Sequence, residues 1–128
     1  MKHWKIYIVE DEKINLIFLE KTLEMAGYDQ IFSAHSGDKV LDLIQENPPD
    51  LLLVDFFLKG PMNGVELVEE VRKYFFVPVI FLTAAQEKWV MDEINKIDKS
   101  VCLVKPFEQQ DLLKMIESFL PQIPGVPF

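Results

Sequence analysis

The sequence predicts one doubly wound α/β domain: a five-stranded parallel sheet with five helices on its two faces, three layers in all. Three observations predict it. Strand-like and helix-like segments alternate five times along the 128 residues, the order that gives parallel strands joined by right-handed crossovers. The run from Leu51 to Leu58 is apolar in seven of its eight positions, and a short apolar run without polar alternation suits a strand covered on both faces. Glycine, proline and other turn formers punctuate the segments, with no internal repeat and no interior linker.

In chain order, Lys5–Val9 is β-prone and runs into the acids Glu10, Asp11 and Glu12. From Lys13 to Ala26 the residues Ile14, Ile17, Phe18, Leu23 and Met25 recur at roughly helical spacing, and Gly27 closes the helix. Gln30–Ala34 is a weaker second strand. A second helix opens at Ser36-Gly37-Asp38 with Val40, Leu41 and Ile44 inward, and Pro48-Pro49 must end it. Leu51–Asp55 is the third strand. The loop 59–64 is dense in turn residues. A helix over Val65–Tyr74 turns Leu67, Val68 and Val71 inward. Pro78–Thr83 is the fourth strand, and Gln86–Ile97 a helix through Val90, Ile94 and Ile97. Val101–Val104 is the fifth strand, and Glu108–Leu120 a closing helix through Leu112, Leu113, Ile116 and Phe119. Residues 1–120 form the expected domain; the proline-rich 121–128 reads as a tail or the start of a linker.

Composition narrows the function classes. The net charge is −8 and no Lys/Arg cluster occurs, which argues against direct binding to nucleic acid or an anionic membrane. The single cysteine, Cys102, rules out an intrachain disulfide and a cysteine-cluster metal site. No signal peptide is evident and no apolar run approaches the ~20 residues of a membrane helix. A cytoplasmic protein is expected.

Four strand ends carry polar residues: Glu10 and Asp11 after the first, Asp55 in the third, Thr83 in the fourth and Lys105 after the fifth. Singly, each reads as a solvated loop, a cap or a surface charge. Together they lie at the edge of the sheet where α/β domains gather ligands. Two carboxylates ~4 Å apart repel by about 4 kcal/mol at an effective dielectric near 20, so such a crevice needs a cation. Oxygen-only donors point to a hard ion, and Mg²⁺ is typically completed by a phosphate oxygen. With a phosphoryl group on Asp55, Mg²⁺, the Lys105 ammonium and the Thr83 hydroxyl can each take one of its oxygens.

The residues Val9-Glu10-Asp11, Asp55, Gly64-Val65-Glu66-Leu67, Pro78 to Ala84 and Val104-Lys105-Pro106-Phe107, with 28 residues from Asp55 to Thr83 and 22 from Thr83 to Lys105, resemble the response-regulator receiver domain of two-component signalling. The resemblance spans about Lys5 to Leu120 and implies a flavodoxin-like fold. It implies that Asp55 accepts phosphate from a histidine kinase or phosphotransfer protein, in a signalling phosphoacceptor that is not an enzyme but catalyses its own phosphorylation and dephosphorylation. It implies Mg²⁺ held by Asp11, Asp55 and the backbone carbonyl of Phe57, with Glu10 acting through water where the family often has Asp. Thr83 would swing toward the phosphoryl group, Lys105 would pair with it, and the Lys105–Pro106 bond would be cis. The output partner is unspecified, and a phosphorylation-dependent homodimer is compatible with the family.

Departures accompany the match. Cys102 stands where the family usually has an aromatic residue or His, and the loop after Asp55 is one residue longer than the commonest form. Phe57 and Ala85 occupy positions that tune dephosphorylation in the family; both are apolar, and slow hydrolysis is expected. Trp89 reads equally as a partner contact and as a core residue. The rival readings are a Mg²⁺-dependent aspartyl phosphohydrolase, which needs a second acid where Phe57 stands; a flavin-binding protein, which needs a phosphate loop where acids stand; and a degenerate receiver used only for binding.

Overall fold

A computed structural model gives the chain's structure and describes residues 2–84 and 86–120. The elements are β1 (Lys2–Val9), α1 (Lys13–Met25), β2 (Tyr28–Ala34), α2 (Gly37–Glu46), β3 (Leu51–Asp55), α3 (Gly64–Arg72), β4 (Val79–Thr83), α4 (Lys88–Asn95), β5 (Ser100–Val104) and α5 (Gln109–Phe119). All strand pairings are parallel, in the order β2-β1-β3-β4-β5. The expected doubly wound, flavodoxin-like architecture is the one found.

β3 is central, and all five of its residues are buried. Successive strand side chains point to opposite faces, so β3 feeds two cores. Leu52 and Val54 pack with Val40 and Ile44 of α2, Val68 and Val71 of α3, and Val90 and Ile94 of α4. Leu51 and Leu53 pack with Leu19 and Leu23 of α1 and Leu112 and Ile116 of α5. Helices thus cover both faces, as an unbroken apolar strand requires.

Helix α1 corrects one expectation. Its buried residues are Leu16, Leu19, Thr22 and Leu23, whereas Ile14 and Met25 are each more than four-fifths exposed and Ile17 and Phe18 are also exposed. Leu16, Leu19 and Leu23 form an i, i+3, i+7 stripe. The helix holds more apolar residues than one face can bury, so periodicity alone does not choose the face. Gly27 ends it with φ +97° and its N–H donates to the Glu24 carbonyl, a left-handed conformation that a Cβ would strain.

Boundaries shift by a few residues. β1 begins at Lys2 rather than Lys5 and β2 at Tyr28, because these segments pair before their apolar cores start. α3 ends at Arg72, whose guanidinium donates to the carbonyls of Val77 and Asp98 and ties the helix end to the next strand. α4 begins at Lys88 rather than Gln86. The proline-rich stretch 121–128 lies outside the described residues.

Candidate functional site

The five polar residues at the strand ends converge on one crevice at the carboxyl edge of the sheet. Asp55 closes β3, level with Leu82 of β4, and Thr83 follows Leu82. Glu10 and Asp11 follow β1 directly, and Lys105 follows β5. Parallel pairing alone brings these ends together. Glu10 and Thr83 are fully buried and Asp55 is nearly so.

Lys105 binds the crevice together. Its Nζ lies 3.1 Å from Glu10 Oε2 and 3.2 Å from Asp55 Oδ2. The Lys105 N–H donates to the Thr83 carbonyl at 2.9 Å, which continues the β4–β5 ladder past the strand end, and the following Lys105–Pro106 bond is cis, as expected. Backbone N–H groups hold one further oxygen of each carboxylate. Phe57 donates to Asp55 Oδ1 at 3.1 Å, Glu12 to Glu10 Oε1 at 3.1 Å and Lys59 to Asp11 Oδ2 at 2.8 Å. The longer loop after β3 therefore reaches across to Asp11.

Gly64 lets that loop close. A Cβ there would stand 2.6 Å from the Asp55 carbonyl oxygen and 3.0 Å from Phe56 Cα. The N–H of Gly64 instead donates to the Phe56 carbonyl at 2.8 Å, while Phe56 donates to the Leu82 carbonyl at 2.9 Å. The next turn is locked by a capping box in which Asn63 and Glu66 each accept the other's backbone N–H. The phosphoacceptor candidate thus stands on backbone that is fixed on both sides.

Three carboxylates against one ammonium leave the crevice negative. Burial above all, with Glu10 beside it, pushes the Asp55 carboxyl up from 3.8 to about 6 against the opposing pull of Lys105. Burial pulls Lys105 down, but Asp55 and Glu10 outweigh it and its pKa is raised. One oxygen from each of Glu10, Asp11 and Asp55 lies within 4.8 Å of the others. An all-oxygen set with excess negative charge fits a hard divalent cation such as Mg²⁺. Beside it, a cavity of about 420 Å³ opens between α1 and the turn after β5, lined by Glu10, Asn15, Phe18, Ala84, Lys105 and Phe107.

Every sequence-predicted site side chain that the structure describes is at or beside this crevice; Ala85 lies outside the described residues. Sequence reasoning missed the backbone donors of Glu12 and Lys59, which side-chain types do not reveal, and the steric role of Gly64. It also missed an edge-on contact between Phe57 and Trp89. Cys102 is a half-buried strand residue whose thiol is pushed up by burial, the opposite of a reactive thiolate.

A crevice of acids with one bridging lysine at the carboxyl edge of a 2-1-3-4-5 parallel sheet defines a class, and comparison gives the family. Residues 6–117 match the model of the response regulator receiver domain, and the chain belongs to that family. Its structure is similar to that of the Vibrio cholerae chemotaxis protein CheY4, at 29% identity and TM-score 0.84 over 93% of this chain and the whole of that one. It is also similar to a response regulator described as putative from Chloroflexus aurantiacus, at 30% identity, TM-score 0.82, over 92% of this chain and 98% of that one. A third is the receiver domain of a sensor histidine kinase from Pseudomonas aeruginosa PAO1, whose structure has a magnesium ion coordinated in the active-site cleft. It matches at 23% identity and TM-score 0.81 over 92% of this chain and 98% of that one. Among the described residues, no helix is long and apolar enough to cross a membrane.

Proposed function

We propose that this receiver domain accepts a phosphoryl group on Asp55 from the phosphohistidine of a histidine kinase or phosphotransfer protein, in a Mg²⁺-dependent reaction that switches a protein-binding surface. One observation carries the reading. The carboxylate that ends the central strand is 3.2 Å from a lysine ammonium and within reach of two further carboxylates.

The chemistry follows from that arrangement. A carboxylate oxygen of Asp55 attacks phosphorus in line with the P–N bond, whose electron pair leaves with the imidazole. Phe57 N–H fixes the carboxylate, and Lys105 stands where it can take a phosphoryl oxygen in exchange for part of its present contact. The Thr83 hydroxyl would donate to another oxygen, and its movement would carry the change outward. Glu10, Asp11, Asp55 and the Phe57 carbonyl would hold Mg²⁺, which when bound offsets the crevice's negative charge and that of the roughly −1.5 to −2 charged phosphoryl group. The magnesium described for the Pseudomonas relative supports this assignment.

The apolar side chain of Phe57 supports slow hydrolysis of the product. Residues 1–120 would be the receiver unit, acting in the cytoplasm on a protein partner or output domain rather than on nucleic acid or membrane, with a phosphorylation-dependent homodimer compatible with this role. The test is intact-mass measurement after incubation with Mg²⁺ and acetyl phosphate, beside Asp55→Asn. A gain of one phosphoryl group that needs both Mg²⁺ and Asp55 is expected. No gain by a folded protein that also fails to bind beryllofluoride would point to a binding module instead.

A further inference from the structure

Two large aromatic side chains are left half open beside the site, and they touch each other. Phe57 is 47% exposed and Trp89 is 54% exposed. Fully buried Phe56 completes a triangle of rings, with centroids 4.8 Å apart for Phe56–Phe57, 5.7 Å for Phe56–Trp89 and 6.1 Å for Phe57–Trp89, each pair edge-on. The triangle joins the loop after Asp55 to the first turn of α4. That helix packs through Val90 and Ile94, so Trp89 is not needed for its core contact and its ring serves the loop. Phe57 is in turn tied to the phosphoacceptor, because its N–H donates to Asp55 Oδ1.

We propose that Trp89 is a positioning residue that slows hydrolysis of phosphorylated Asp55 by holding the Phe57 ring in place beside it. The inference rests on the receiver reading above and adds a residue to it. In the hydrolysis, a water oxygen bonds to phosphorus as the P–O bond to Asp55 breaks. The bonding pair returns to the Asp55 carboxylate, and both water protons leave on dihydrogen phosphate. A water must be oriented for that attack, and neither ring provides an acceptor; the indole N–H can only donate. Edge-on aromatic contacts hold the Phe57 ring. Without Trp89 the half-exposed ring keeps, among the described residues, only its ring contact with Phe56, and it can turn aside and admit water.

The experiment uses the full chain, phosphorylated with acetyl phosphate and Mg²⁺, freed of the donor and followed by intact mass as phosphate is lost. Trp89→Ala should shorten the half-life about fivefold, about 1 kcal/mol at 1.36 kcal/mol per tenfold, and Trp89→Phe should restore most of the slow rate. Phe57→Ala should accelerate the loss by itself, and adding Trp89→Ala to it should change the rate no further, since Trp89 acts through Phe57. A Trp89→Ala protein as slow as the wild type, or one equally accelerated in the Phe57→Ala background, overturns the inference alone. A wild type that takes no phosphoryl group removes the receiver reading and this inference with it, and shows before any rates are compared.

Discussion

Asp55→Asn keeps the shape of the side chain and removes its charge, so it isolates what the negative crevice costs the folded protein. The Asp55 side chain is 7% exposed, and burial with Glu10 beside it holds the carboxyl at about 6 instead of 3.8. Between those two values the folded protein binds a proton that the unfolded chain has released. The stability this group contributes is therefore fully present below pH 3.8 and is lost as pH rises through about 6. The rise from 3.8 to about 6 corresponds to about 3 kcal/mol at 1.36 kcal/mol per pH unit. Asparagine does not titrate and escapes that loss, while Lys105 keeps its contact with Glu10. In EDTA, urea denaturation should find Asp55→Asn more stable than wild type by about 1–3 kcal/mol at pH 8, shrinking toward zero near pH 4. Carboxylates remote from the crevice are common to both proteins, so their contributions cancel. Adding Mg²⁺ should raise the wild type and narrow the gap, by about 2.7 kcal/mol at a hundredfold excess over its Kd if the variant binds none. An asparagine variant less stable than wild type at pH 8, or equally stabilised at both pH values, would refute the electrostatic account.

Two further outcomes test the scaffold. Gly64→Ala forces a Cβ against the Asp55 carbonyl and Phe56 Cα; because backbone must move, denaturation should show a loss of about 2 kcal/mol or more and phosphorylation should slow. On α1, Leu19→Ala should cost about 2–5 kcal/mol, whereas Ile14→Ser and Met25→Ser, at positions more than four-fifths exposed, should stay within about 0.5 kcal/mol of wild type. Equal losses on both sides of the helix would show that α1 packs by another face.

The central strand and the polar strand ends were legible in the sequence because each is a local pattern with a strong physical cause. An unalternating apolar run must be covered on both faces, and an acid at its end must sit at the strand's exit or be paired. The convergence of Glu10, Asp55, Thr83 and Lys105 then follows from parallel topology, even though Lys105 and Glu10 are 95 positions apart. The packed face of α1 was not legible, since its apolar residues outnumber the places on one side. Backbone donors were not legible either. That Lys59 N–H reaches Asp11 depends on the path of the eight residues between Asp55 and Gly64, and any residue but proline could have supplied it. The contact of Trp89 with Phe57 is hidden for the same reason, because a loop conformation sets it.

The scaffold and the charge imbalance explain each other. Like charges buried together separate, protonate or recruit a cation. Separation is opposed here by the ladder bonds on either side of Asp55, the close approach of Gly64 and the N–H groups that hold each carboxylate. Protonation is the response the raised Asp55 carboxyl favours, and it would blunt the group as a nucleophile near pH 6. A bound cation would resolve the conflict without moving the carboxylates, since it would lower the carboxyl pKa and, on the proposed function, leave the oxygen ionised for attack. The same rigidity that makes the negative crevice costly would, on the proposed function, make its reactivity depend on the ion. A fold that let Asp55 swing out to solvent would be more stable at pH 8 and would lose the position from which, on the proposed function, Lys105 and Thr83 would meet a phosphoryl group.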